Sequence, residues 1–179
     1  KAKDDERFNK EKRIYELSQI DGKMPEMMPY QIGFRMLTTL LQTYSGNIDK
    51  VIASLGDVKK EQVECLRRRA ECAWFWVNEC APDEFKFSLR TAGTKAELTD
   101  EETEAVRTVY RDCVPLTDEL DEKALGQKIY DVAVALGIQP KNLFRIMYQA
   151  LIGKDQGPRL ASFMKIIGRA KLDEILKVY

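Results

Sequence analysis

The chain has 179 residues, 44% of them hydrophobic and 32% charged, with Lys plus Arg and Asp plus Glu at 29 each. That length suits one domain or two small subdomains sharing a core. The balanced charge excludes any argument from net charge for a nucleic-acid or membrane partner, so a basic surface has to come from local segregation.

Nearly every segment reads as helix. Lys3 to Gln19 is a charged amphipathic stretch whose apolar part is Phe8, Ile14, Tyr15 and Leu17, and Asp21-Gly-Lys-Met-Pro25 breaks it. The spacing predicts a helix from about Tyr30 to Tyr44. Gly33, Leu37, Leu40, Leu41 and Tyr44 form its buried stripe, and Arg35, Thr38 and Gln42 lie on the opposite side. Asn47 is placed to cap a short helix, Ile48 to Leu55, that Gly56 stops. The longest helix is predicted from about Val58 to Cys80, capped by Asp57, with Val63, Leu66, Ala70, Ala73, Val77 and Ala81 as its core face. Pro82 ends it. Phe85-Lys-Phe-Ser-Leu89 alternates as a short extended piece, and 91–97 reads as the seam between two helical subdomains, 1–92 and 93–179.

Thr99-Asp-Glu-Glu102 is a capping box, in which the hydroxyl takes the third helical amide and the carboxylate reaches back. It opens a helix ending near Cys113. Two more helices follow. One runs from about Glu122 to Leu136 with Leu125, Ile129, Val132, Ala133 and Leu136 inward, and one opens at Pro140 with Leu143, Phe144, Met147 and Leu151 inward. Gly153 stops the second, a charged turn follows, and Gly157-Pro158 starts a terminal helix that Gly168 divides in two. Gly just beyond a helix end and Pro at a helix start are what helix termini favour. Leu160, Phe163, Met164, Ile167, Leu172, Ile175 and Leu176 are its apolar residues. Short connections predict helices packed side by side, an all-α fold that buries its stripes locally and folds independently.

Several chemistries drop out. Histidine is absent, which removes Ser-His, Cys-His and His-metal chemistry from this chain. No apolar run approaches the ~20 residues of a membrane span, and no secretory-type start is present. The charged, abrupt beginning reads as that of a fragment. Cys65, Cys72, Cys80 and Cys113 have no CxxC spacing, so buried reduced thiols of a cytoplasmic protein are expected rather than a metal site. The acids Glu101, Glu102 and 118–122 have no nucleophile or oriented base beside them, so no catalytic residue is assigned. No phosphate-binding glycine loop occurs.

Three segments resemble the C-terminal region of class I lysyl-tRNA synthetases, with glutamyl-tRNA synthetases as relatives. They are Met28-Pro-Tyr-Gln-Ile-Gly-Phe-Arg-Met-Leu37, Ala73-Trp-Phe-Trp-Val-Asn-Glu-Cys-Ala-Pro82 with Phe85-Lys-Phe87 behind it, and the hairpin from Gly153 to Gly168. The resemblance implies an all-helical anticodon-binding part. Its partners would be tRNA(Lys) and a Rossmann-type catalytic domain of the same polypeptide, which would hold the ATP and Mg²⁺ and join lysine to its tRNA. No cofactor, membrane or DNA is implied for the fragment itself. The same kind of domain from a glutamyl-type enzyme, or a helical protein-interaction scaffold without RNA binding, remain open alternatives.

Reading an anticodon takes splayed bases, aromatic or Arg planes to stack on, and cations for the phosphates. The candidates are Arg35, Thr38 and Gln42 on one helix face; Arg67 and Arg68 in the Arg67-Arg-Arg69 run; and Lys154, Arg159, Lys165 and Arg169 around the terminal hairpin. Each has a structural alternative. Arg67 and Arg68 are spaced to pair with Glu64 and Glu71 on their own helix. Trp74, Phe75 and Trp76 diverge by ~100° per residue and cannot form one stacking surface, so Trp74 is expected in the core and Phe75 on the polar face.

Overall fold

The computed structural model describes residues 2–18 and 30–179. Among the described residues the regular structure is all helical, with nine α-helices and no strand. The break expected at 21–25 and the opening residues of the first family-like segment lie outside the described residues. Contacts divide the chain into two compact units, Lys1–Gln31 and Ile32–Tyr179. The subdomain boundary expected at 92/93 lies within the second of these units.

The first unit holds α1 (Ala2–Ser18). Its charges pair along the helix, Arg7 Nε to Glu11 Oε1 at 2.8 Å and Arg13 Nη1 to Glu16 Oε2 at 3.3 Å. Phe8, Ile14, Tyr15 and Leu17 are exposed.

The second unit begins with α2 (Phe34–Thr43), α3 (Ile48–Ser54) and α4 (Lys60–Glu79). Leu37, Leu40 and Leu41 of α2, Val51 of α3, and Leu66, Ala70, Ala73 and Val77 of α4 are all buried. The helix expected to start at Tyr30 starts at Phe34, because Gly33 is extended at φ −65°, ψ 143°. The cap expected at Asp57 is absent: the N-cap position is extended Lys59, whose side chain has no acceptor for a helix amide. The turn between α2 and α3 is pinned by Gly46, at φ +78°. A Cβ there would stand 2.5 Å from the Trp74 ring, so the indole of α4 packs directly on the turn's backbone. Only glycine fits both the positive φ and that approach.

The remaining helices are α5 (Asp100–Cys113), α6 (Glu122–Ala135), α7 (Pro140–Ile152), α8 (Leu160–Ile167) and α9 (Arg169–Leu176), with a 3₁₀ turn at Val114–Leu116. They surround a second apolar core that includes Val106, Val109, Leu125, Ile129, Leu143, Met147, Leu151, Phe163, Leu172 and Ile175. The expected capping box is present on α5: Glu102 N donates to Thr99 Oγ1 at 3.2 Å and Thr99 N to Glu102 Oε2 at 3.1 Å. Asn47 caps α3 as expected, accepting from Lys50 N at 3.0 Å. Asp121 caps α6 through Ala124 N at 2.7 Å. Arg107 Nε donates to the main-chain oxygen of Tyr179, and the Tyr179 hydroxyl accepts from Ala96 N at 2.7 Å, tying α9 back to the segment before α5.

The expected extended piece is the join between the two cores. Phe85 meets Trp76 of α4 edge-on, with ring centroids 5.2 Å apart. Phe87 meets Phe163 of α8 the same way at 5.3 Å, and its amide donates to Gln42 Oε1 of α2 at 2.6 Å. Arg90 N donates to Leu151 O at the end of α7 at 2.8 Å. One strap thus touches α2, α4, α7 and α8.

The expectation of buried thiols holds for one cysteine only. Cys113 is buried and its thiol is pushed up to about 11 by that burial. Cys65, Cys72 and Cys80 are exposed: the core face of α4 runs through residues 66, 70, 73 and 77 and leaves Cys65 and Cys72 about 100° off it, while Cys80 lies past the helix end as its C-cap. Among the described residues no group of three or more Cys, Asp or Glu is placed to hold a metal ion.

Replacing Gln42 with Leu keeps the volume but leaves the Phe87 amide without its acceptor. The expected cost is about 1–3 kcal/mol, read as a lower urea midpoint with an unchanged m-value. The capping box gives a second test. The Thr99 amide, followed by Arg145, holds the Glu102 carboxyl below its usual 4.5. A lowered folded value means that this stabilisation is present above the unfolded value and is lost as pH falls through the folded one. Thr99→Ala should cost about 1 kcal/mol at pH 7. Glu102→Gln should make the loss of stability on acidification below pH 4.5 shallower than in the parent chain, as measured by denaturant melts at pH 7 and at about pH 3.

Candidate nucleic-acid interface

A groove of about 1600 Å³ opens where the strap passes between α2 and the α7–α8 hairpin. Its aromatic residues are Phe85 and Phe87 of the strap and Phe144 and Tyr148, one turn apart on α7. Its cations are Arg35, Lys123, Lys154 and Arg159, facing the carboxylates Glu84, Glu122 and Asp155.

The hairpin is held from three sides. Gly153 ends α7 in the left-handed conformation at φ 68°. Buried Tyr148 donates its hydroxyl to Pro158 O at 2.5 Å, and burial raises its pKa, so the phenol stays a donor. Gly157 lies under the same ring, where a Cβ would be 2.9 Å from two ring carbons. Gln149 Nε2 donates to Asp155 Oδ1 at 2.9 Å. Lys154 Nζ donates to Asp83 O at 2.5 Å and closes the hairpin onto the segment that precedes the strap. The groove wall is therefore set by hydrogen bonds rather than left to a loose loop.

Of the nine candidates, the structure brings Arg35, Gln42, Lys154 and Arg159 to this groove. Arg35 and Arg159 are exposed there. Gln42 is only 4% exposed and its oxygen already holds the Phe87 amide. Thr38 is fully buried, with its hydroxyl donating back to Phe34 O at 3.0 Å and Arg35 O at 3.1 Å. The open face expected for Thr38 and Gln42 is thus corrected. α2 is contacted by α3, α4 and α8 at once, so it buries far more than one stripe.

Arg67, Arg68, Lys165 and Arg169 do not line the groove. Arg67 pairs with Asp49 of α3 at 2.6 Å, and that bond raises its pKa ahead of weaker fields from Glu64 and Glu71. The ion-pair alternative for Arg67 was right in kind, but the main partner is on another helix. Arg69 Nη2 donates to Ile32 O at 3.0 Å. Arg68 and Arg169 are exposed. Lys165 Nζ donates to Thr117 O at 2.9 Å and Leu120 O at 2.5 Å, satisfying carbonyls of the turn after α5.

Trp74 is half-buried against Gly46, Trp76 lies edge-on between Phe34 and Phe85, and Phe75 points out at 65% exposure. None of the three belongs to the groove. Sequence reasoning missed Lys123, and placed Phe144 wholly in the core where it is half-buried at the groove. Lys123 did carry a signal. It sits in the first turn of α6, where the helix dipole disfavours a cation.

Comparison with known proteins then places this geometry. The model of the family described as an anticodon binding domain matches residues 35–176. The chain is 47% identical to a lysine–tRNA ligase of Treponema pallidum over 179 residues, covering 99% of this chain and 34% of that protein. It is 36% identical to a lysine–tRNA ligase of Borreliella burgdorferi over 170 residues, covering 94% of this chain and 32% of that one. A lysine–tRNA ligase of Methanopyrus kandleri is 29% identical over 182 residues, covering 94% of this chain and 33% of that protein. The chain spans about a third of the length of the curated relatives it matches. With a family match running from the start of α2 to the end of α9, and thus over every element that builds the groove, the chain belongs to the anticodon binding domain family.

Proposed function

We propose that this chain is the non-catalytic, anticodon-binding part of a class I lysine–tRNA ligase and that it holds the anticodon of tRNA(Lys). The observation that carries the reading is the groove itself. It sets four aromatic rings and four cations around one opening, inside the span matched by the anticodon binding family. Splayed bases stack on aromatic faces, and guanidinium groups read base edges or neutralise phosphates. Arg35 and Arg159 supply exposed guanidinium groups at this opening. The names of the relatives support the lysine assignment over a glutamyl-type one.

In this reading, activation of lysine with ATP and Mg²⁺ belongs to a Rossmann-type domain of the same polypeptide. The parent protein works in the cytoplasm. No described helix is long and apolar enough to cross a membrane. This chain's residues bind and orient; none transfers a group.

Binding of the chain to tRNA(Lys), tRNA(Glu) and an anticodon-swapped tRNA(Lys), each across a salt series, tests the proposal. The expected result is preference for the lysine anticodon. With about four phosphates neutralised at ~0.7 per contact, the slope of log affinity on log salt should be roughly −3. Arg35→Gln and Arg159→Gln should each weaken tRNA(Lys) binding by about tenfold with little change in melting temperature. Equal, salt-sensitive binding to all three RNAs would remove anticodon reading from this domain.

A further inference from the structure

A second, smaller cleft of about 510 Å³ lies beside the groove, lined on α7 by Arg145 and Gln149. It is lined by Arg90, Lys95, Glu97, Leu98, Glu102, Arg145 and Gln149, and nothing in the family match or in the relatives' names speaks of it. Gln149 borders both openings.

Three cations face this cleft against two carboxylates, and Arg145 is paired with Glu102, which leaves Arg90 and Lys95 against Glu97. Glu102 Oε2 accepts the Thr99 amide at 3.1 Å and its Oε1 accepts Arg145 Nη2 at 2.5 Å. Arg145 Nη1 stands 4.0 Å from Asp155, whose Oδ1 already accepts from Gln149. Lys95 is exposed and has no ion pair among the described residues. Arg90 is the group that needs explaining. Its Nη2 donates to Gln149 O at 3.0 Å, but its Nε is buried and has no acceptor among the described residues. A buried guanidinium donor without an acceptor is a costly arrangement. An anionic oxygen ligand in the cleft would relieve it and would satisfy Lys95 as well.

We propose that this cleft is a phosphate-binding site built by Arg90, Lys95 and Arg145. Guanidinium groups suit phosphate through paired N–H donors, and Lys95 adds a point charge at the mouth. The proposal rests on the anticodon-binding reading for its source of phosphate. An RNA strand whose base enters the aromatic groove carries its neighbouring phosphate across Gln149 into the cleft. Consecutive phosphates and bases of a single strand lie close enough for one side chain to stand between them.

The test follows the ¹⁵N resonances of the chain, including the Arg90 Nε–H, in two titrations: inorganic phosphate, and a lysine anticodon stem–loop RNA. Inorganic phosphate should shift the Arg90 Nε–H and the amides of residues 95–98 and 145–149 in a saturable way. Lys95→Gln should weaken phosphate by about threefold and Arg145→Gln by about tenfold. Both variants keep the Arg90 bonds to α7; Arg145→Gln also removes the pair with Glu102, so amide dispersion and a denaturant melt check the fold of each variant before its affinity is read. Arg159→Gln, in the groove, should leave phosphate binding unchanged while weakening the RNA. For the RNA, each cleft variant should reduce the slope of log affinity on log salt by about 0.7.

Non-saturable shifts with phosphate, or affinity unaltered in both cleft variants, would overturn the site even if the RNA binds well through the groove. Saturable phosphate binding in a chain that ignores the RNA would keep the site, assign it to free phosphate, and overturn the anticodon reading instead.

Discussion

The strap from Phe85 to Arg90 is the constraint on which the rest of the second unit depends. It is long enough for a strand, but no partner strand exists among the described residues. It nevertheless touches four helices through four contacts: a ring on Trp76, a ring on Phe163, an amide on Gln42 and an amide on Leu151. The apolar residues of α2–α4 and those of α5–α9 form separate clusters on either side of it. Without the strap each cluster still buries its own stripe, but nothing sets the angle between them. Contact between α2 and α8 alone is a small patch against that freedom.

The groove is a consequence of this join. A strap lying between two helical clusters leaves a trough along its exposed edge, and side chains from both clusters then face one opening. Arg35 comes from the first cluster, Lys123 and Arg159 from the second, and Phe85 and Phe87 from the strap itself. The hairpin that forms the far wall is locked by Tyr148 and Gln149, one on each flank of α7's last turns. The groove wall from Asp83 to Pro158 is thus held by hydrogen bonds made by side chains, most of them to main-chain groups.

Much of the fold was legible in the sequence because it rests on local rules. The capping box at Thr99, the Asn47 cap, the αL glycine at 153 and the helical stripes of α4 through α9 depend on residues within a few positions of one another. The errors came where distant elements intervene. Thr38 and Gln42 looked exposed because a single amphipathic helix shows one buried face; three neighbours bury more. Arg67 found Asp49 rather than a partner on its own helix. Lys165, read as part of a basic patch, is occupied by two carbonyls some 45 residues away in sequence. A charge count along the chain cannot tell a cation that faces solvent from one that caps a turn.

The zero net charge then takes on a meaning that composition alone did not supply. Many of the cations are committed to the fold: Arg67 to Asp49, Arg107 to Tyr179, Lys165 to two carbonyls, Lys171 to Glu174. Those left at the groove are opposed by Glu84, Glu122 and Asp155, so the opening carries a small surplus of positive charge rather than a broad field. Long-range attraction to any RNA is weak under such a balance, since an even distribution of signs is screened within a Debye length of ~8–10 Å. Short-range contacts decide instead: stacking on the rings, and hydrogen bonds that only one arrangement of bases satisfies. For a part whose proposed task is to tell one anticodon from others, that division is favourable. Sequence-independent affinity raises every RNA equally and adds nothing to the difference between them.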